Sequence, residues 1–85
     1  MHHHQPPEMK TCIDNCLACY RECLSTATNH CLEMGGKHTE PLHFRLMMAC
    51  AEICRTSAHF MLIGSEPHRH VCRERAEICT QCTEL

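Results

Sequence analysis

Four cysteines near the start of the chain, Cys12, Cys16, Cys19 and Cys23, step by four, three and four residues. Residues three or four apart share one helix face, so this spacing predicts a helix with a sulfur-bearing stripe. The helical pattern runs from about residue 9 to residue 34, after a His- and Pro-rich tail over residues 1–8 that reads as flexible. At an α-helical period the stripe continues through Thr26 and His30. Cys31 then falls on its flank, about 100° round the axis, the place of a small buried hydrophobe. Gly35-Gly36 ends the helix, because glycine takes the left-handed cap conformation without penalty.

Two further helices follow the same rule. Thr39-Glu40-Pro41 reads as a cap followed by a first-turn proline, whose missing N–H has no partner to lose there. A helix over about 40–63 places His43, Met47, Cys50, Cys54, Ser57 and Met61 on one face, with Gly64 beyond its end. Ser65-Glu66-Pro67 repeats the cap signal, and a third helix over about 66–85 carries His68, Cys72, Cys79 and Cys82 inward, with Arg75 among them. Short turns marked by Gly or Pro make neighbouring helices antiparallel. The expected fold is all-α: an antiparallel up-down bundle of three long helices in one domain, with room for a fourth.

Composition says what fills the interior. Ten cysteines and six methionines stand against one Tyr, two Phe and no Trp in 85 residues, so sulfur occupies much of the core. A domain this small often needs metal, disulfides or association to be stable. A formal net charge of −2 without a basic run or an aromatic platform gives no nucleic-acid signature. No apolar stretch is long enough to cross a bilayer. The first ten residues lack the pattern of a secretory leader. A reducing cytoplasm is therefore the expected setting, and the cysteines are expected as thiols.

Cys-x3-Cys occurs at Cys12/Cys16, Cys19/Cys23 and Cys50/Cys54, and Cys-x2-Cys at Cys16/Cys19 and Cys79/Cys82. Two thiolates one helical turn apart can grip a soft ion, and copper(I) is soft and thiolate-seeking. Several such pairs facing one another give a tube of sulfur in which thiolates bridge ions. Four other readings compete. A disulfide framework suits small secreted hairpins, but links between consecutive turns of one helix constrain little. Structural zinc takes four ligands in a tetrahedron, fewer than this stripe offers. Iron–sulfur clusters draw on loop cysteines at tighter spacings. Cysteine also serves as a small buried hydrophobe, but ten on inward faces are too many. No carboxylate dyad or open metal position points to catalysis, so the chain is read as a binding protein and not an enzyme.

The run Cys12-Ile-Asp-Asn-Cys-Leu-Ala-Cys-Tyr-Arg-Glu-Cys23 resembles the first helix of the cysteine-rich four-helix-bundle copper-binding and copper storage proteins. Cys50-Ala-Glu-Ile-Cys54, the Met61-Leu-Ile-Gly-Ser-Glu66 turn and the stretch from Cys72 through Ala-Glu-Ile-Cys-Thr-Gln to Cys82 resemble its second and third helices. The resemblance covers nearly all of the chain after residue 9. It implies a cytosolic store or buffer that loads several copper(I) ions inside the bundle and assembles into homo-oligomers, dimers or tetramers. Members of that family carry a fourth cysteine-bearing helix, so the bundle here is expected to be truncated or completed by another subunit. Arg75 stands where a further inward cysteine is expected. Its guanidinium either offsets thiolate charge or swings out towards Glu74 or Glu77 and reaches solvent, as long basic side chains do; the second reading is preferred.

The candidate metal ligands are thus Cys12, Cys16, Cys19, Cys23, Cys50, Cys54, Cys72, Cys79 and Cys82, with Cys31 on the flank. His30 and His43 are candidates at one mouth of the bundle, and His68 at the other. Met47 and Met61 read first as core and second as weak thioether ligands. His38, His59 and His70 read as surface.

Overall fold

The computed structural model describes residues 7–36 and 40–84. The expected Thr39 cap, His38 and the tail over residues 1–6 lie outside the described residues. The first helical rod has three parts: α1 (Pro7–Ser25), a π-helical segment π1 (Thr26–Cys31) and a short α2 (Leu32–Met34). It is followed by α3 (Pro41–Leu62) and α4 (His68–Glu84). Backbone angles stay right-handed helical at Ser25, Cys31 and Leu32, so the rod is continuous through its change of pitch.

The turns are built from glycine chemistry. Gly64, at φ 70°, follows α3. The N–H of Gly64 donates to the Met61 carbonyl at 3.1 Å and that of Ser65 to the Phe60 carbonyl at 3.0 Å. These two bonds make a Schellman cap, which satisfies carbonyls that the helix end leaves without partners. At the start of α3, Pro41 occupies the first turn after Glu40, whose backbone is extended and whose side chain makes no capping bond.

The π1 segment is a departure from the α-helical pattern, and it has a sequence cause. Ser25-Thr-Ala-Thr-Asn29 combines β-branched and hydrogen-bonding side chains that favour helices weakly. The Thr28 hydroxyl donates to the Leu24 carbonyl at 2.7 Å, and the Asn29 amide to the Ser25 hydroxyl at 3.4 Å. A π turn spends one more residue per turn than an α turn. The buried stripe therefore passes from Cys23 to Ala27 and Cys31, both fully buried, while Thr26 is only half-buried and His30 is exposed. The α-helical extrapolation, which put His30 on the stripe and Cys31 on its flank, is corrected by this one-residue shift.

Helix α3 lies in the middle. Register across the bundle is antiparallel: Cys50 of α3 meets Cys23 of α1 and Cys79 of α4. Seven residues of α3 are buried, Met47, Cys50, Ala51, Cys54, Ser57, Ala58 and Met61, whereas α4 has no fully buried residue. The Cα framework measures 50 × 20 × 15 Å, a slab little thicker than one helix with its side chains, ~10–12 Å. A shallow groove opens between α1 and α4. The larger core cluster joins Ile13, Cys16, Cys50, Cys54, Ala58 and Met61, and a second joins Ala27, Cys31 and Met47. Cys82 packs against both. Met47 and Met61 are buried as core side chains.

Candidate metal centre

The sulfur stripe of all three long helices converges on the axis of the bundle. Sγ atoms of Cys19, Cys50, Cys54 and Cys79 lie within 4.8 Å of one another, one from α1, two from α3 and one from α4. Cys54 and Cys79 are 3.6 Å apart, Cys50 and Cys79 2.9 Å. Cys23 extends the group, at 3.8 Å from both Cys19 and Cys50. With a metal–thiolate bond of ~2.3 Å, the zinc value, two sulfurs on one ion stand about 3.8 Å apart in a tetrahedron and up to about 4.6 Å in a line. Most of the observed separations suit a shared ion directly, and Cys50 and Cys79 would part slightly to hold one. All ten cysteines are free thiols.

The array continues to both ends of the bundle. Towards one end stand Cys82, Cys31 and Met47, brought together by the π turn. Towards the other, Cys16 is buried and Cys12 and Cys72 line the groove with Met9, Met61 and His68. Cys12 is exposed and Cys72 half-buried, because nothing among the described residues covers α1 and α4 on that side. Of the candidate histidines, His43 and His68 are half-buried near opposite ends, and His30 is exposed. His59 and His70 are exposed.

Arg75 corrects another expectation. It stands three residues after Cys72 and four before Cys79, on the same helix face as both. Its side chain is half-buried and electrostatically engaged with Cys16, Cys54 and Cys79. The ion pairs among the described residues are Lys10–Asp14 and Glu52–Arg55, neither of which involves Glu74, Glu77 or Arg75. The side chain thus serves both settings, part of it in solvent and its charge held over the sulfur row. A second polar group shares the interior. Ser57 is fully buried one turn from Cys54, and its hydroxyl has no hydrogen-bond partner among the described residues. It leaves a donor free for a neighbouring sulfur, the group a thiolate would use.

Burial sets the protonation of the cluster. Burial raises the Cys23 thiol from its ordinary 9.0 to about 11, reinforced by the charge of Cys19. Burial also pushes Cys50 and Cys54 well up, reinforced in both by hydrogen bonding to Cys79. Burial raises Cys16, Cys72 and Cys82 too. Cys19 is the exception: burial opposes its ionisation, but hydrogen bonds from Cys54, Cys23, Cys50 and Cys79 outweigh it and hold this thiol below its ordinary range. Of the shifted thiols, Cys19 is thus the one whose ionisation the packing favours. An arriving cation displaces protons from the thiols it binds.

Thiols drawn from three helices into one buried cluster, with further cysteines extending the row both ways, define a cysteine-rich helical bundle whose interior can hold metal. Residues 5–85 match the copper storage protein family. The chain belongs to that family, which is not a family of enzymes. The crystal structure of a protein from Nitrosospira multiformis superposes with a TM-score of 0.88 at 58% identity, covering 89% of this chain and 70% of that one. No curated protein matches the chain. No helix among the described residues is long and apolar enough to cross a membrane.

Proposed function

We propose that this chain stores or buffers several copper(I) ions on cysteine thiolates inside the bundle. The observation that carries the reading is the meeting of Cys19, Cys50, Cys54 and Cys79 within 4.8 Å, embedded in a longer row of sulfur. One zinc ion would be served by those four thiols alone. The further sulfurs at Cys12, Cys16, Cys23, Cys31, Cys72 and Cys82 suit a soft monovalent ion that accepts bridging thiolates and low coordination. His43 and His68 are proposed as mouth ligands that pass copper inward, with Met9 and Met61 beside His68. The role is binding, not catalysis, since copper(I) held between thiolates leaves no coordination position for a substrate. The thiols require a reducing compartment, the cytoplasm. Homo-oligomers cover the groove in which Cys12 and Cys72 meet water.

The test is an anaerobic copper(I) titration against a chromogenic chelator, read by native mass spectrometry. Several ions per chain are expected. Binding of at most one, or preference for zinc in direct competition, would sink the proposal. Light scattering during size-exclusion chromatography checks the assembly, and a clean monomer contradicts it.

A further inference from the structure

The one permanent charge inside the sulfur row is unexplained by thiolate capture alone. Arg75 offers nitrogen donors and no lone pair, so it cannot ligate a cation. It nevertheless occupies a half-buried stripe position on the same helix face as Cys72 and Cys79, and its charge acts on sulfurs of all three long helices, Cys16, Cys54, Cys72 and Cys79. Placing a like charge where cations are to be stored is unfavourable unless the stored material is itself negative. Copper(I) contributes one positive charge and each thiolate one negative. A copper(I) ion held by two thiolates therefore leaves one net negative charge, while cysteines that hold no ion stay protonated and neutral, so the first ions bound form anionic units. We propose that Arg75 is a built-in counter-cation that neutralises one excess thiolate, and so strengthens capture of the first copper(I) ions rather than of the last. This rests on the copper(I) reading above. It makes Arg75 a positioning and charge-balancing residue, not a ligand. Partly filled chains are stabilised as discrete states, and the final capacity is set by the cysteines alone.

The experiment compares the full chain with Arg75→Met, which keeps much of the length and loses the charge, and with Arg75→Lys, which keeps the charge. Helical content is checked by circular dichroism, and Arg75→Gln replaces Arg75→Met if the latter does not fold. Affinity for the first ion is read against the chelator, and the distribution of loaded states by native mass spectrometry below saturation. The neutral variant should bind its first ion about tenfold more weakly, show fewer partly loaded species, and reach the same final stoichiometry. Arg75→Lys should restore first-ion affinity to within about threefold of the parent. A neutral variant that matches the parent, or a lysine variant that fails with it, overturns the inference. A parent chain that takes up no copper(I) refutes the storage reading instead, so the two failures are told apart.

Discussion

Replacing Cys79 by serine isolates the worth of the sulfur that joins α4 to the cluster. Cys79 stands 2.9 Å from Cys50 and 3.6 Å from Cys54, so its loss opens the site on one whole side. Structural zinc sites bound by four ligands yield about 10–16 kcal/mol, or about 2.5–4 kcal/mol for each ligand. Taking about 3 kcal/mol for one thiolate, Cys79→Ser should weaken binding at the cluster about 100-fold and remove about one ion from the total. Position 79 is only half-buried, so the fold should survive with a loss of about 1 kcal/mol. The control is Cys12→Ser, at an exposed position outside the four-sulfur group. Anaerobic chelator competition gives the affinity and native mass spectrometry the count. If Cys79→Ser binds like the parent, or no worse than Cys12→Ser, the central cluster is not the principal site.

Three further outcomes are expected. Burial raises Cys23, Cys50 and Cys54 in the folded state, so the folded chain holds more protons than the unfolded chain above the ordinary thiol value. Stability of the metal-free protein should therefore be full below pH 9.0 and fall as pH climbs towards about 11, while copper affinity rises with pH; thermal melts at stepped pH that show no alkaline loss would contradict the assignment. Mild treatment with oxidised glutathione should form its first mixed disulfide at half-buried Cys19 rather than at buried Cys50, with release of one glutathione thiolate, and lower copper uptake until reductant is added; peptide mapping that finds Cys50 modified first would count against the packing. Cys31→Ser should reduce copper capacity whereas His30→Ala leaves it unchanged, and the reverse result by native mass spectrometry would mean that the π turn does not redirect the stripe.

The helical bundle was legible because cysteine, an unusual residue, marks one face of each rod. The steps at Cys12–Cys23, Cys50/Cys54 and Cys79/Cys82 report the α period directly, and Gly64 and Pro41 report where rods stop and start. What was missed has a common physical origin. Periodicity assumes a constant pitch, and Thr26–Cys31 does not keep it. The signal was present in Ser25-Thr-Ala-Thr-Asn29, whose side chains compete for backbone carbonyls, but its effect on phase appears only in three dimensions. Arg75 was misjudged for a related reason. Its neighbours along the chain, Glu74 and Glu77, offer a partner by sequence, and only the packing of α1 and α4 on either side of α3 brings sulfur within its field. The convergence of Cys19 on Cys79 likewise depends on register between helices, which no single helix encodes.

The scarcity of ordinary hydrophobic filling has a further consequence. Of the ten buried apolar side chains among the described residues, four are cysteine and three alanine, so the empty protein rests on a slight interior with an open flank. Any ion that binds only the folded form adds stability in proportion to the logarithm of its free concentration over its dissociation constant. Copper taken up as proposed would therefore also act as the mortar of the bundle. Resistance to proteases, which follows the population of opened chains, would rise with cargo, and the lifetime of each molecule would become a record of how much it carries.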